Sequence, residues 1–65
     1  METKTKVIVK LVGTDGNVFS IIGKVSKALE RGGYPELAKE YREKCFAAKS
    51  YDEVLQWTLR YVVAE

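Results

Sequence analysis

The stretch Gly13-Thr14-Asp15-Gly16-Asn17 divides the chain into a basic, β-branched run before it and a helical pattern after it. Its two glycines tolerate positive φ values. The side-chain oxygens of Thr14, Asp15 and Asn17 are of the kind that caps a helix N-terminus. The stretch therefore predicts a turn that leads from a strand into a helix.

The residues before the turn have the period of a strand. Residues 3–12 read T-K-T-K-V-I-V-K-L-V, in which β-branched or apolar side chains alternate with a mostly basic set. This alternation predicts a strand from Lys6 to Val12 with one apolar face. A lone strand needs a hydrogen-bonding partner. That partner is either the β-favouring end of the chain, residues 60–63, or the same strand of a second copy, and the sequence leaves open whether residues 60–65 are helix or strand.

Three amphipathic patterns follow the turn. The first begins at Val18 and ends at Gly32-Gly33, a pair typical of a helix C-cap. Gly23 inside this pattern suggests a close crossing with another element. The second helix is expected to begin at Pro35, and the third at the capping box Ser50-x-x-Glu53. The residues expected in the core are Val18, Ile21, Ile22, Val25, Ala28 and Leu29, then Leu37, Ala38, Tyr41 and Cys45, then Tyr51, Val54, Leu55, Thr58, Leu59 and Val62.

Length and composition limit the class of protein. A chain of 65 residues with 46% apolar residues suits one domain with a thin core, so we expect residues 1–65 to form a single α+β unit with the order β-α-α-α. Eleven basic and nine acidic residues give a net charge of +2, which does not by itself require a polyanionic partner. No apolar run reaches the roughly 18 residues of a membrane span, and no secretory signal is visible. We therefore expect a cytoplasmic protein without a membrane partner.

Side chains that carry catalysis or bind metals are scarce. The sequence has no histidine and one cysteine, which excludes an intrachain disulfide and nearly every zinc pattern. Cys45 falls on an apolar helical stripe, where a thiol behaves as a small hydrophobic group. Glu36, Glu40 and Glu43 share a face with basic residues, which is typical of a solvated helix surface. We expect no enzyme, no cofactor and no metal.

A protein interface is the first kind of binding site that the sequence favours. Trp57 and Tyr61 lie partly off the apolar stripe of the third helix, and aromatic side chains are enriched in interfaces. With the strand residues Val7 and Val9 they form the interface that we predict. A thin core and an unpartnered strand also suggest a homodimer, formed by strand pairing or through Trp57 and Tyr61.

An anion site at the start of the first helix is a second kind. Free backbone N–H groups at a helix N-terminus attract anions, and here the candidate residues are Asp15, Gly16 and Asn17. The stretch lacks the lysine of a P-loop and the three glycines of a dinucleotide fingerprint, and the Asp15 carboxylate would repel an anion. Helix capping explains the same residues.

The order of a lysine-bearing strand, a helix, a glycine loop and a helix from Lys4 to Ala47 resembles the ribbon-helix-helix family. In that family two copies pair their strands and lay them in the major groove of DNA. The resemblance implies a dimer and assigns DNA contacts to Lys4, Lys6 and Lys10. The sequence departs from the family at residues 32–36, which lack the small hydroxyl residue that contacts phosphate, and an extra helix follows. A solvated edge strand protected by its lysines explains the same residues.

A second resemblance rests on two runs, L-V-G-T-D-G-N-V-F-S-I-I-G-K-V-S-K-A-L-E-R-G-G from Leu11 to Gly33 and Y-D-E-V-L-Q from Tyr51 to Gln56. They resemble a group of small uncharacterised proteins found in bacteria, phages and mobile elements, which implies a setting but no mechanism and no site residue. We predict a non-enzymatic interaction or regulatory protein that binds another protein. A dimeric DNA-binding protein is the alternative, and a small-anion or nucleotide binder is the third hypothesis.

Overall fold

The computed structural model describes residues 3–11 and 17–65, and in these ranges it has two short strands and three helices. The elements are β1 (Ile8–Val9), α1 (Val18–Arg31), α2 (Pro35–Phe46), α3 (Tyr51–Tyr61) and β2 (Val63–Ala64). The α+β class and the β-α-α-α order with a short C-terminal strand are confirmed. The turn predicted at residues 13–16 and the last predicted strand residue, Val12, lie outside the described residues.

The end of the chain supplies the partner of the first strand. β1 and β2 pair in parallel, with Ile8 opposite Val63. The Val63 N–H donates to the Val7 carbonyl oxygen at 2.8 Å, and the Glu65 N–H donates to that of Val9 at 2.9 Å. Residues 60 and 61 therefore belong to α3 and residues 63 and 64 to a strand. Regular β-structure is shorter than the predicted run from Lys6 because the paired strand β2 has only two residues.

The predicted alternation of β1 is confirmed. Thr5 and Val9 are buried and Val7 and Leu11 are half-buried, whereas the residues between them are exposed. The exposed set is Lys4, Lys6, Ile8 and Lys10. One face of the strand therefore covers the helices, and the other carries lysines around an isoleucine.

Both ends of α1 have the predicted signals. The Phe19 N–H donates to the Asn17 side chain at 2.8 Å, which caps the first turn. At the other end Gly33 has a φ of 93°, and the Tyr34 N–H donates to the Leu29 carbonyl oxygen at 2.8 Å. This hydrogen bond and the positive φ define a Schellman motif, which reverses the chain so that α2 returns along α1.

A glycine does mark a close approach, but at a different position from the predicted one. A Cβ atom added at Gly23 would have nothing within 4 Å, so the predicted crossing there is wrong. At Gly32 an added Cβ would lie 2.9 Å from Cγ2 of Val7. The strand passes over the end of α1 at Gly32, whereas Gly23 is exposed.

Two tyrosines fill the centre of the core. Tyr41 of α2 and Tyr61 of α3 are fully buried, with ring centroids 5.5 Å apart in an edge-to-face arrangement. The Tyr41 hydroxyl lies 2.7 Å from Oγ1 of Thr58, and this oxygen in turn donates to the Val54 carbonyl oxygen at 2.9 Å. Because the Thr58 hydroxyl proton is used there, Tyr41 is the donor to Thr58. Each polar atom in this series of hydrogen bonds from Tyr41 to Thr58 to Val54 therefore has a partner.

The face that α3 buries differs from the predicted stripe. Val54 and Thr58 are buried as predicted, but Tyr51 and Leu59 are exposed and Tyr61 takes a core position instead. Residues 54, 58 and 61 are spaced as one helical face. Contact with Tyr41 of α2 sets this face. The sequence pattern of α3 alone gives no information about that contact.

Candidate functional site

The structure buries two of the four predicted interface residues and leaves the other two partly accessible. Val9 and Tyr61 lie in the core and are 3% and 0% exposed, so neither is available to a partner. Their assignment to an exposed interface is therefore corrected, because the inner face of the strand and the inner face of α3 both point into the core. Val7 and Trp57 are half-buried and keep part of their surface accessible.

The Trp57 ring lies under two cations. Cζ of Arg60 is 5.0 Å from the ring centroid, and Nζ of Lys44 is 5.6 Å from it. Cation–π contacts of this kind stabilise exposed sites by about 0.5 to 1 kcal/mol each. Lys44 belongs to α2, whereas Trp57 and Arg60 belong to α3, so the half-buried Trp57 contributes to the contact of α2 with α3.

The three strand lysines do not form one cluster. Nζ of Lys4 lies 3.8 Å from Oε1 of Glu40 and 5.2 Å from the Tyr61 ring centroid. Lys10 lies about 20 Å further along an extended strand, beside basic residues of α1. Lys6 is exposed between them. Lys4 therefore lies beside α2 and α3, whereas Lys10 lies beside α1.

Of the predicted anion residues, only Asn17 is among those that the structure describes. Its side-chain oxygen accepts a hydrogen bond from the Phe19 N–H and so caps α1. Asp15 and Gly16 lie outside the described residues. The observed role of Asn17 is the capping role that the sequence also suggested.

The two phenylalanines of the chain are both exposed and lie next to each other. Phe19 and Phe46 are 69% and 61% exposed, and their ring centroids are 6.1 Å apart. The rings stand at the edge of a groove between the three helices. Its apolar lining consists of Val18, Ile22, Cys45, Ala48 and Val54. We call Phe19, Phe46 and this lining the phenylalanine surface.

The antiparallel hairpin of α1 and α2 creates the phenylalanine surface. Phe19 is in the first turn of α1 and Phe46 is the last residue of α2, so the reversal at Gly33 brings them together. The sequence analysis did not single out either residue. A signal was present, because each phenylalanine directly follows a core position, Val18 or Cys45, and so lies off the buried stripe.

The chemistry of the phenylalanine surface is that of an apolar binding groove. Cys45 is buried in its floor, and burial raises the pKa of this thiol, so it stays protonated near neutral pH. A protonated, buried thiol is a poor nucleophile. The groove can accept apolar side chains, and its lining contains no histidine or carboxylate that could activate the thiol.

A second groove runs between β1 and α1 and is basic. It is lined by Lys10 from the strand side and by Lys24, Lys27 and Arg31 from α1, with Ile8 at its edge. The three α1 residues recur at helical spacing and therefore share one face. None of the carboxylates in residues 3–11 and 17–65 lines this groove. We call Lys10, Lys24, Lys27 and Arg31 the basic groove.

Buried tyrosines make the fold sensitive to alkaline pH. Burial, together with the nearby Glu40 carboxylate, raises the pKa of Tyr61 to about 12, above its ordinary value of 10.0, and burial also raises the pKa of Tyr41. The unfolded chain then loses tyrosine protons first as the pH rises. The stability that the protonated, buried tyrosines contribute is therefore fully present below about pH 10, and for Tyr61 it is lost between about pH 10 and about pH 12.

At about pH 11, which is one unit above the ordinary tyrosine pKa, the expected loss of unfolding free energy from Tyr61 alone is about 1.4 kcal/mol. Urea titrations of the wild type and of Tyr61→Phe at about pH 8 and about pH 11 measure it, since the phenylalanine variant lacks the titrating group. Tyr34→Phe is the matched control because Tyr34 is exposed. Equal alkaline losses in wild type and Tyr61→Phe would contradict this account.

Neither a metal centre nor a membrane helix is found in the part of the chain that the structure describes. Its cysteine and carboxylate side chains form no group of three that could hold a metal ion. None of α1, α2 and α3 combines the length and the apolar character needed to cross a membrane. Comparison with known proteins finds no matching family model, no matching curated protein and no matching solved structure.

Proposed function

We propose that this chain is a small non-enzymatic binding module that attaches to another protein through the phenylalanine surface. The observation that carries the proposal is the exposure of Phe19 and Phe46 at the edge of an apolar groove. Large exposed apolar side chains that lie together are characteristic of interaction sites. Single exposed residues such as Leu59 do not have this meaning.

The surface is suited to a protein partner. Two phenylalanine rings in contact present a large, rigid apolar area, and ordering them costs little side-chain entropy because each has only two rotatable bonds. The groove behind them can receive an apolar side chain of the partner, as an anchor residue fills a pocket in many interfaces. A free cysteine thiol persists in a reducing compartment, which supports a cytoplasmic setting for the module.

The test compares affinity capture by the wild type with capture by two variants. In the first, Phe19→Ser and Phe46→Ser are combined; in the second, Leu59→Ser removes an exposed apolar side chain that does not line the groove. A specific partner should be retained by the wild type and by Leu59→Ser. The phenylalanine variant should bind it at least about a hundredfold more weakly, because truncated anchor residues cost about 2 kcal/mol or more each.

Folding of both variants is checked by urea titration, and we expect each to change the free energy of unfolding by about 0.5 kcal/mol or less, as is usual for surface substitutions. A partner that binds the phenylalanine variant as tightly as the wild type would contradict the proposed site. A wild-type dimer that becomes monomeric in the phenylalanine variant, measured by light scattering, would make the occupant a second copy of this chain.

A further inference from the structure

The second edge of β1 is unpaired within the described residues. Residues of a strand direct their backbone groups alternately to its two edges. The carbonyl oxygens of Val7 and Val9 accept hydrogen bonds from the Val63 and Glu65 N–H groups, so the N–H and carbonyl groups of Ile8 and Lys10 point to the opposite edge. The described sheet has only the strands β1 and β2, and no third strand covers that edge.

The unpaired edge borders the basic groove. Ile8 and Lys10 of β1 line one side of the groove, and Lys24, Lys27 and Arg31 line the other. The excess of basic residues also lies in the part of the sequence that contains β1 and α1. Residues 1–31 include six basic and three acidic side chains, whereas residues 32–65 include five basic and six acidic ones. The strand edge therefore lies in a local positive potential that a net charge of +2 does not reveal.

We infer that β1 accepts an extended acidic segment of another protein as an added strand. The backbone of the segment pairs with the free N–H and carbonyl groups of Ile8 and Lys10. Its carboxylates lie against Lys24, Lys27 and Arg31, and its apolar side chains lie on Ile8, which is 61% exposed. Because side chains alternate along a strand, a sequence in which acidic and β-branched residues alternate meets both requirements.

The geometry favours a peptide over nucleic acid. The edge offers carbonyl acceptors beside N–H donors, which matches another peptide backbone. The carbonyl oxygens would repel phosphate oxygens. Single-stranded nucleic acid binds through aromatic platforms, and no aromatic side chain lines the basic groove. An exposed isoleucine amid the cations also suits a β-branched side chain better than a phosphate backbone.

A second copy of the chain is a poor occupant of the same edge. Antiparallel pairing of two β1 strands about Ile8 would place Lys6 of each copy opposite Lys10 of the other. Like charges directly opposite each other destabilise a strand pair. Lysines on an edge strand prevent self-association in this way, and they do not hinder an acidic strand.

The first experiment measures the affinity of the full chain for a short synthetic peptide of alternating glutamate and valine, by isothermal titration calorimetry at low and physiological salt. A peptide of the same composition with N-methyl groups on alternate amides lacks the donors needed for strand addition. We expect the unmodified peptide to bind and the N-methylated peptide to bind at least about tenfold more weakly. This control leaves the protein, and therefore its folding, unchanged.

Two pairs of variants locate the site. Lys27→Glu reverses a charge in the basic groove, and Lys39→Glu makes the same change on an exposed part of α2 outside it. We expect about a tenfold loss of peptide affinity in the first and little change in the second. Ile8→Pro removes an N–H that does not pair with β2, whereas Ile8→Thr keeps it. Only the proline variant should lose the peptide.

Equal binding of the unmodified and N-methylated peptides would overturn strand addition, and so would equal effects of Lys27→Glu and Lys39→Glu. A DNA duplex that competes fully with the peptide, with an affinity falling steeply with salt, would make the surface a nucleic-acid site instead. The outcome is independent of the proposed function. Phe19 and Phe46 do not line the basic groove, so Phe19→Ser combined with Phe46→Ser should bind the peptide as the wild type does.

Discussion

Replacing Tyr61 by alanine is expected to reduce the free energy of unfolding by about 3 to 5 kcal/mol, the usual cost of removing a buried aromatic ring. Tyr61 is fully buried, and its ring packs edge-to-face on Tyr41 at 5.5 Å. The total stability of a 65-residue domain is about 3 to 10 kcal/mol. The alanine variant should therefore lose about a third or more of the total stability, as measured by circular dichroism and urea titration.

The matched control is Tyr51→Ala, which removes the same side chain from an exposed position in the same helix. We expect that variant to lose about 0.5 kcal/mol or less. Tyr61→Phe should stay folded because it keeps the ring. If Tyr61→Ala were as stable as the wild type, Tyr61 would not lie in the core, and its assignment to an exposed interface would have to be restored.

Replacing Val63 by proline is expected to reduce the free energy of unfolding by about 2 to 3 kcal/mol. The Val63 N–H donates to the Val7 carbonyl oxygen at 2.8 Å, and proline removes this donor and leaves the acceptor unpaired. The preceding residue, Val62, has an extended backbone with φ −135° and ψ 164°, which is compatible with a following proline. The loss therefore measures the pairing of β1 with β2.

Ala64→Pro is the control for this prediction. Val63 and Glu65 donate their N–H groups to β1, so the Ala64 N–H between them points to the other edge of β2. Proline is tolerated at such a position. We expect a loss of about 1 kcal/mol or less by urea titration, and equal losses in the two variants would contradict the parallel register of Ile8 with Val63.

The two proposed binding surfaces use different parts of α1. The phenylalanine surface takes Phe19 from the first turn, and the basic groove takes Lys24, Lys27 and Arg31 from the later turns. The two surfaces share no residue. The module therefore has room for an apolar contact and an acidic strand at the same time, and the variants described above separate the two.

Local signals account for the elements that sequence analysis predicted well. The capping residue Asn17, the pair Gly32-Gly33, Pro35 and the Ser50-x-x-Glu53 box each act within a few residues of themselves. The Glu53 N–H donates to Oγ of Ser50 at 3.2 Å as the box predicts, while the Glu53 carboxylate accepts from the Lys49 N–H. Their physical effect does not depend on the rest of the fold, so reading them from the sequence succeeds.

The candidate sites were less accessible to sequence analysis. Lys10 was identified, but its companions Lys24, Lys27 and Arg31 join it only because α1 packs beside β1. Phe19 and Phe46 are 27 positions apart and meet only through the hairpin of α1 and α2. Trp57 and Tyr61 looked equivalent by spacing, yet Tyr61 is buried and Trp57 is half-exposed.

The sequence by itself determined the α+β class, the start of each helix, the inner face of β1 and the end of α1, because capping, glycine conformation and hydrophobic periodicity are local properties of the chain. Only the tertiary structure decided that the last residues pair with β1 and that α3 turns Tyr61 rather than Leu59 inward. It also decided which exposed residues lie together. These features depend on contacts between residues as far apart as Thr5 and Tyr61, whose backbone groups join at 3.2 Å.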